Sequence, residues 1–284
     1  MSTPESMELA ANERRYRIKT ARGEFAALEA TPQSEPVGTA LLIHGFTGSK
    51  EDFIHLLPEL AKLGWRAVAI DQRGCYETAG SELETDYTMT EFATDLKELL
   101  NTFTEPVHLL GHSFGGLVTQ ATALTGVKLA SLTLFCSGPG AIPGTSYDWL
   151  KDFQADLRAG NKATRIDTSI AEMKAAGQIK NAEVEQFLRN RWSGSKTAAL
   201  LGKAQILIDQ ADLSEQLAKL TAAGLPVLVA HGVNDDAWPI SQQQELAEMI
   251  KGEYVVISNS AHSPNVENVA ETTTVLDQFW RSQL

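Results

Sequence analysis

The amino-acid sequence predicts an α/β fold with a mostly parallel central sheet, an N-terminal antiparallel hairpin, helices on both faces and a helical insertion. Three observations predict it. Short apolar runs such as TALLIHG (39–45), PVHLLGHS (106–113) and LPVLVAHG (225–232) are continuous rather than alternating, as in strands buried on both faces of a parallel sheet. Longer stretches with helical apolar spacing lie between them. The block from Pro139 to about Ala223 carries several helical segments and no convincing strand.

The elements follow in order. RRYRIKTA and EFAALEAT, joined at Arg22-Gly23, predict a hairpin. After the Pro32–Gly38 loop come the strand TALLIHG, a helix over EDFIHLLPELAKLG (51–64) and a strand in WRAVAIDQRG (65–74). Thr88-Met89-Thr90-Glu91 has the form of a capping box, and Phe92, Leu96, Leu99 and Leu100 follow at helical spacing. PVHLLGHS is the next strand, GLVTQATAL a helix and LASLTLFCSG (129–138) a further strand. Helical segments then follow at YDWLKDFQADL, IAEMKAA, VEQFLRNRW, KTAALLGKAQILI and LSEQLAKL. The strand-and-helix order returns with LPVLVAHG, SQQQELAEMIK, EYVVISNSAH (253–262) and a last helix. The domain reading is a core over residues 1–138 and 224–284 interrupted by residues 139–223.

Composition narrows the function classes. The 284 residues are 43% hydrophobic and 21% charged, enough for a large core. A net charge of -12 argues against nucleic-acid binding, which needs clustered Lys and Arg. Cys75 and Cys136 are the two cysteines, too few for a disulfide framework or a metal cluster, and reduced thiols are expected. The N-terminal MSTPESMELAANERRYR lacks an apolar h-region and no stretch reaches the length of a membrane span, so a cytoplasmic protein is expected.

Chemistry is expected where parallel strands end. Ser113 follows the run PVHLL within GHSFGG (111–116), and Gly111 and Gly115 remove side chains where a sharp strand-to-helix turn would crowd the backbone. The helix after it points free N–H groups at the same spot. A serine nucleophile needs a base. Of six histidines, His55 and His108 fall inside predicted elements, His44 and His231 end strands where a loop hydrogen bond suffices, and His112 should turn away from its neighbour Ser113. His262, in the loop after the last strand, is the candidate base. Its orienting acid is sought in GVNDDAWP, where Asp235 is assigned that role and Asp236 is left to capping or solvent.

With these three in the order Ser, Asp, His, the chain resembles the α/β-hydrolase superfamily, and its serine esterases and lipases in particular. The resemblance runs from about residue 14 to the end through HGFTGS (44–49), DQRG (71–74), DYTMTEFATDLKELL (86–100), GHSFGG, the Gly232, Asp235 and Pro239 pattern, and AHSPNVE (261–267). It implies Ser113 as nucleophile, His262 as base, Asp235 as orienter, and the backbone N–H groups of Phe46 and Phe114 as an oxyanion hole. It also implies that residues 139–223 form a cap, in which Trp149, Phe153 and Trp192 either line an acyl or alcohol pocket or fill the cap's own core; Trp238 is a further candidate for substrate contact. One departure stands out: after Gly74 comes Cys75-Tyr76, and Tyr76 occupies a place the family usually gives to glycine.

The implied reaction is hydrolysis of a small-molecule carboxylic ester through an acyl-enzyme, with no cofactor and no metal. Ser113 argues against dehalogenases and epoxide hydrolases, which place an aspartate at that turn. Carbon–carbon bond hydrolases and cofactor-free haloperoxidases or perhydrolases share the triad and remain alternatives. A non-catalytic ligand-binding protein would be marked by a missing triad member, and none is missing. The sequence leaves oligomeric state open.

Overall fold

The computed structural model describes residues 2–284. In chain order the elements are β1 Glu13–Thr20, β2 Gly23–Ala30, β3 Gly38–Ile43, α1 Leu56–Lys62, β4 Trp65–Ile70, α2 Met89–Leu100, β5 Val107–His112, α3 Phe114–Ala123 and β6 Leu129–Phe135. Five helices follow: α4 Thr145–Arg158, α5 Lys162–Ala175, α6 Ala182–Gly194, α7 Thr197–Asp209 and α8 Ser214–Ala222. The chain closes with β7 Val227–Gly232, α9 Ile240–Ile250, β8 Glu253–Ile257, α10 Pro264–Glu267 and α11 Val269–Arg281.

The eight strands form one sheet in the order β1-β2-β4-β3-β5-β6-β7-β8. β1 pairs antiparallel with β2 and β2 with β4, and the remaining pairs are parallel. The continuous apolar runs have the expected cause. Leu41, Ile43, Val68, Ile70, Val227 and Val229 pack into one core with α2, α3 and α9. Their strand neighbours Ala40, Leu42, Ala67, Ala69, Leu228 and Ala230 pack into the opposite core with α1 and α11. Since successive strand side chains point to opposite faces, a strand covered on both sides must be apolar at every position.

Two local expectations change. The helix read over 51–64 is broken into a 3-10 turn at Lys50–Phe53 and α1. The cause is polar burial: the Lys50 amide and Nζ donate to Asp71 at 2.7 and 3.0 Å, and Asp52 accepts from Arg191 at 2.7 Å. The capping box at Thr88 is half formed. Thr88 Oγ1 accepts the Glu91 N–H at 3.3 Å, but the Glu91 carboxylate is drawn away to Arg22.

The helices between β6 and β7 are tied unequally to the rest. α7 puts Ala198, Ala199, Ala204, Ile206 and Leu207 into the same core as the sheet, whereas α5 and α6 bury Ile166, Ile170, Met173, Val184, Phe187, Leu188 and Trp192 in a cluster of their own. No helix among the described residues is long and apolar enough to cross a membrane.

The core beneath α1 and α11 is keyed by aromatics. Trp65 and Trp280 are both fully buried, with ring centroids 5.4 Å apart at 75°. Trp280→Ala should therefore destabilise the protein by about 3–5 kcal/mol through the cavity it leaves, read as a lower midpoint in urea unfolding. A loss under about 1 kcal/mol would show that this core relaxes freely around the hole.

Candidate active site

The site is built where β3, β5, β7 and β8 end. Ser113, between β5 and α3, has φ 55 and ψ -120, a conformation that side chains other than glycine adopt only under strain. Neighbouring glycines make the turn possible. A Cβ on Gly115 would lie 2.3 Å from the Ile43 carbonyl oxygen, and one on Gly111 would lie 2.3 Å from the Gly115 carbonyl oxygen. β5 and α3 can therefore meet β3 only if both residues lack side chains. Ser113 is 7% exposed, its turn being wedged under the β3 loop and the inserted helices.

Three side chains far apart in sequence converge. The Ser113 hydroxyl and His262 Nε2 are 3.0 Å apart, and His262 Nδ1 is 2.7 Å from Asp235 Oδ1. Asp235 is buried and also accepts the Ala237 N–H on Oδ1 at 3.2 Å and the Gln243 side-chain amide on Oδ2 at 2.9 Å. Burial pushes its carboxyl up, but the bond and charge of His262 and the Gln243 amide outweigh this and hold it below its ordinary 3.8. An ionised Asp235 only accepts, so His262 carries its proton on Nδ1 and offers a lone pair to the Ser113 O–H. Asp236 is exposed beside the cavity and makes none of these contacts.

The other histidines take local roles. His112 does turn from Ser113: its Nε2 donates to the His262 carbonyl at 2.7 Å, and burial lowers its pKa to about 3, so it braces the loop as a neutral ring. His44 Nδ1 donates to the Gly45 carbonyl at 2.8 Å while Nε2 accepts the Gln72 N–H at 3.1 Å. His231 bonds the Gly232 carbonyl and the Tyr254 hydroxyl, His108 meets Ser131 Oγ, and His55 accepts the Ser6 N–H.

Gly45 brings the β3 loop onto the serine, since a Cβ there would lie 3.2 Å from Ser113 Cβ. Beside it opens a cavity of about 570 Å3, lined at its base by Gly45, Phe46, His112, Ser113 and His262 and at its wall by Ile142, Trp149, Leu150 and Leu207. The amides of Phe46 and Phe114 donate to no group among the described residues. Phe114 is the first residue of α3, where the helix has no partner for an N–H.

Of the four aromatics that are candidates for substrate contact, Trp149 lines the cavity and Phe153 stands behind it, stacked on Trp149 at 5.1 Å. Trp192 and Trp238 do not reach it. Trp192 is buried in the α5–α6 cluster, and Trp238 is fully buried with its indole N–H donating to the Gly140 carbonyl at 3.1 Å. Both rings are needed to fill cores. Tyr76 is also outside the cavity lining: it holds φ 44, which explains a usual preference for glycine there, and packs edge-on against Phe187.

Sequence reasoning missed Gln243 and Lys203. Gln243 sits in a run of three glutamines with nothing to distinguish it. Lys203 had a signal, a lone cation in the apolar run TAALLGKAQILI, and the structure buries it completely with Nζ 3.3 Å from the Gly45 carbonyl oxygen. Two sets of metal-type donors lie within 4.8 Å of one another, His112 with Cys136 and His262, and Asp235 with Asp236 and His262. Both require His262, whose two ring nitrogens already serve Ser113 and Asp235. Burial first, and then Asp235, holds the Cys136 thiol well above its ordinary value.

A family profile described as the alpha/beta hydrolase fold matches residues 40–269. The AB hydrolase superfamily protein YisY of Bacillus subtilis is 27% identical over 273 residues, covering 93% of this chain and 98% of that one. A proline iminopeptidase of Saccharolobus solfataricus is 24% identical over 266 residues, covering 84% and 83%. Among solved structures, a thermophilic esterase from Thermogutta terrifontis superposes with a TM-score of 0.73 at 23% identity, covering 95% of this chain and 99% of that one, a likeness of fold.

The lowered carboxyl of Asp235 has a stability consequence. A folded value below the unfolded one adds stability above the unfolded pKa, and that stability is lost as pH falls through the folded value. Gln243→Met removes one donor and should cost about 1.5–3 kcal/mol near neutral pH. That penalty should shrink as pH falls through the Asp235 titration, because a protonated carboxyl gains less from the donor. Melting curves across the acid range check this, and a penalty that stays constant with pH would show that Gln243 does not hold the carboxylate.

Proposed function

The chain belongs to the α/β-hydrolase family, and from that premise we propose that it is a serine hydrolase cleaving carboxylic esters through an acyl-enzyme on Ser113, His262 and Asp235. The observation that carries this reading is the unbroken chain of hydrogen bonds from Ser113 Oγ through His262 to Asp235, at 3.0 and 2.7 Å, opening into a cavity.

In this mechanism His262 Nε2 takes the Ser113 proton as Oγ attacks the ester carbonyl carbon. Asp235 holds the ring and stabilises the imidazolium that forms. The negative oxygen of the tetrahedral intermediate is held by the Phe46 and Phe114 amides, which are free to receive it. His262 returns its proton to the leaving alkoxide, and the alcohol departs. Water then enters, gives a proton to His262 and attacks the acyl group, and the acid leaves as Ser113 recovers its hydrogen.

The cavity supports the substrate class. Its wall of Ile142, Trp149, Leu150 and Leu207 suits an apolar group, and among the described residues its lining includes Asp236 and the Arg191-paired Asp52 but neither lysine nor arginine. A carboxylate-bearing ester is therefore disfavoured, and a neutral one preferred. The helices at 139–223 act as the cap, since Trp149 and Leu150 of α4 and Leu207 of α7 form part of the wall.

Ser113→Ala and His262→Ala should each lower hydrolysis of a neutral activated ester by roughly 10⁴- to 10⁶-fold and, for Ser113→Ala, abolish labelling by a fluorophosphonate as read by intact mass. Asp235→Asn should be severe and Asp236→Asn mild. Wild-type rates in Ser113→Ala would end the proposal, and a reversed pair of aspartate results would move the acid by one position.

A further inference from the structure

The geometry points to Lys203 as a positioning residue: its ammonium, carried on α7, holds the Gly45 carbonyl and thereby aims and polarises the Phe46 N–H for the oxyanion. This rests on the acyl-transfer reading above.

Lys203 is fully buried, and its hydrogen bonds run to the Gly45 carbonyl and the Cys75 sulfur, each at 3.3 Å. Neither partner is a carboxylate, and burial raises the Cys75 thiol above its ordinary value, so that partner is uncharged. Its other neighbours include the rings of Phe114 and Phe46, with Nζ 5.0 and 6.0 Å from their centroids, and burial lowers its pKa against the attraction of Asp52 and Asp71, neither of which it contacts. The ammonium thus stands among the two residues whose amides face the reacting oxygen in the proposed mechanism. Burying a cation without a counter-ion is costly, and packing alone would be better served by a methionine or leucine.

The link to the Phe46 amide is geometric. The peptide between Gly45 and Phe46 is trans, so its C=O and N–H point in opposite directions. Three donors converge on the Gly45 oxygen: His44 Nδ1 at 2.8 Å, Lys203 Nζ at 3.3 Å and the Gly48 N–H at 3.4 Å. Fixing that oxygen fixes the N–H on the far side. His44 and Gly48 supply neutral donors, so Lys203 contributes what they lack, a positive charge that draws electron density from the amide and strengthens it as a donor. In a buried setting such a charge is weakly screened.

Lys203→Met tests this, with Lys203→Gln, which keeps a neutral donor, as its companion. In Lys203→Met, kcat should fall about 10- to 100-fold, less than the loss of a direct oxyanion donor. KM should change little, and Tm should hold or rise because an unpaired buried charge is gone. Lys203→Gln should lie between Lys203→Met and the wild type. A boronic acid, which forms a tetrahedral adduct on Ser113, should lose affinity by the same factor as kcat, while an unreactive ketone analogue of the ester should not. A kcat within about twofold of wild type in both variants overturns the assignment. So does a kcat loss that tracks a lowered Tm, the signature of a merely structural lysine. Failure of the underlying reading is separable, because the wild type would then not be labelled at Ser113 by a fluorophosphonate.

Discussion

The structure depends on one close approach, that of the β5–α3 turn to the end of β3. Gly115 faces the Ile43 and His44 carbonyls at distances no side chain tolerates, and Gly45 lies against Ser113 Cβ. These contacts fix the turn tightly enough to hold Ser113 at φ 55, a strain of about 1–3 kcal/mol that the surrounding packing must sustain. Holding it there brings Oγ to 3.0 Å from His262 Nε2 and leaves the first amide of α3, like that of Phe46, without a partner among the described residues. A single bulkier residue at Gly111 or Gly115 would separate the sheet from the helix and undo all of these at once.

Around that turn the protein buries an unusual amount of charge. Lys50 pairs with Asp71 and Glu51, Arg191 with Asp52, and Lys203 stands without a carboxylate. Buried ion pairs of this kind add little net stability, because desolvation offsets their attraction, yet losing one partner costs roughly 3–5 kcal/mol. Their effect is geometric. Lys50 draws residues 50–53 down onto Asp71 and interrupts what would otherwise be one helix. Asp52 reaches Arg191 on α6 and so ties the β3 loop to the inserted helices. Polar burial specifies the path of the loop between β3 and α1 where apolar packing alone would permit several.

The legibility of this protein in its sequence divides along the same line. The sheet, its hairpin and the helices were readable because burial on two faces and helical spacing each leave a periodic trace, as Leu41, Leu42 and Ile43 show. Ser113, Asp235 and His262 could be singled out as candidates because each lies within a few residues of a strand end, and the structure brings the three side chains together. The partners that hold them were not. Gln243 reaches Asp235 from a helix eight residues on, and Lys203 reaches Gly45 from a segment 158 residues away. Such contacts are set by how helices dock, which no local pattern encodes. The same blindness left the place of Trp192 and Trp238 open, since an aromatic at helical spacing fills a core and lines a cavity with equal ease.

The inserted helices are therefore more than a cover. α4 brings Trp149 and Phe153 against Phe46, with ring centroids at 6.3 and 5.3 Å, while α7 brings Lys203 to the carbonyl just before it. The segment that shapes the apolar wall of the cavity also grips the loop carrying one of the two free amides. Phe46 therefore carries the contacts of its ring with α4 and, one residue back, the carbonyl that α7 reaches. In the proposed acyl transfer, recognition of the acyl or alcohol group and stabilisation of the intermediate would draw on the same loop. Binding energy from a group remote from the ester can be expressed in the rate of its cleavage rather than in affinity alone.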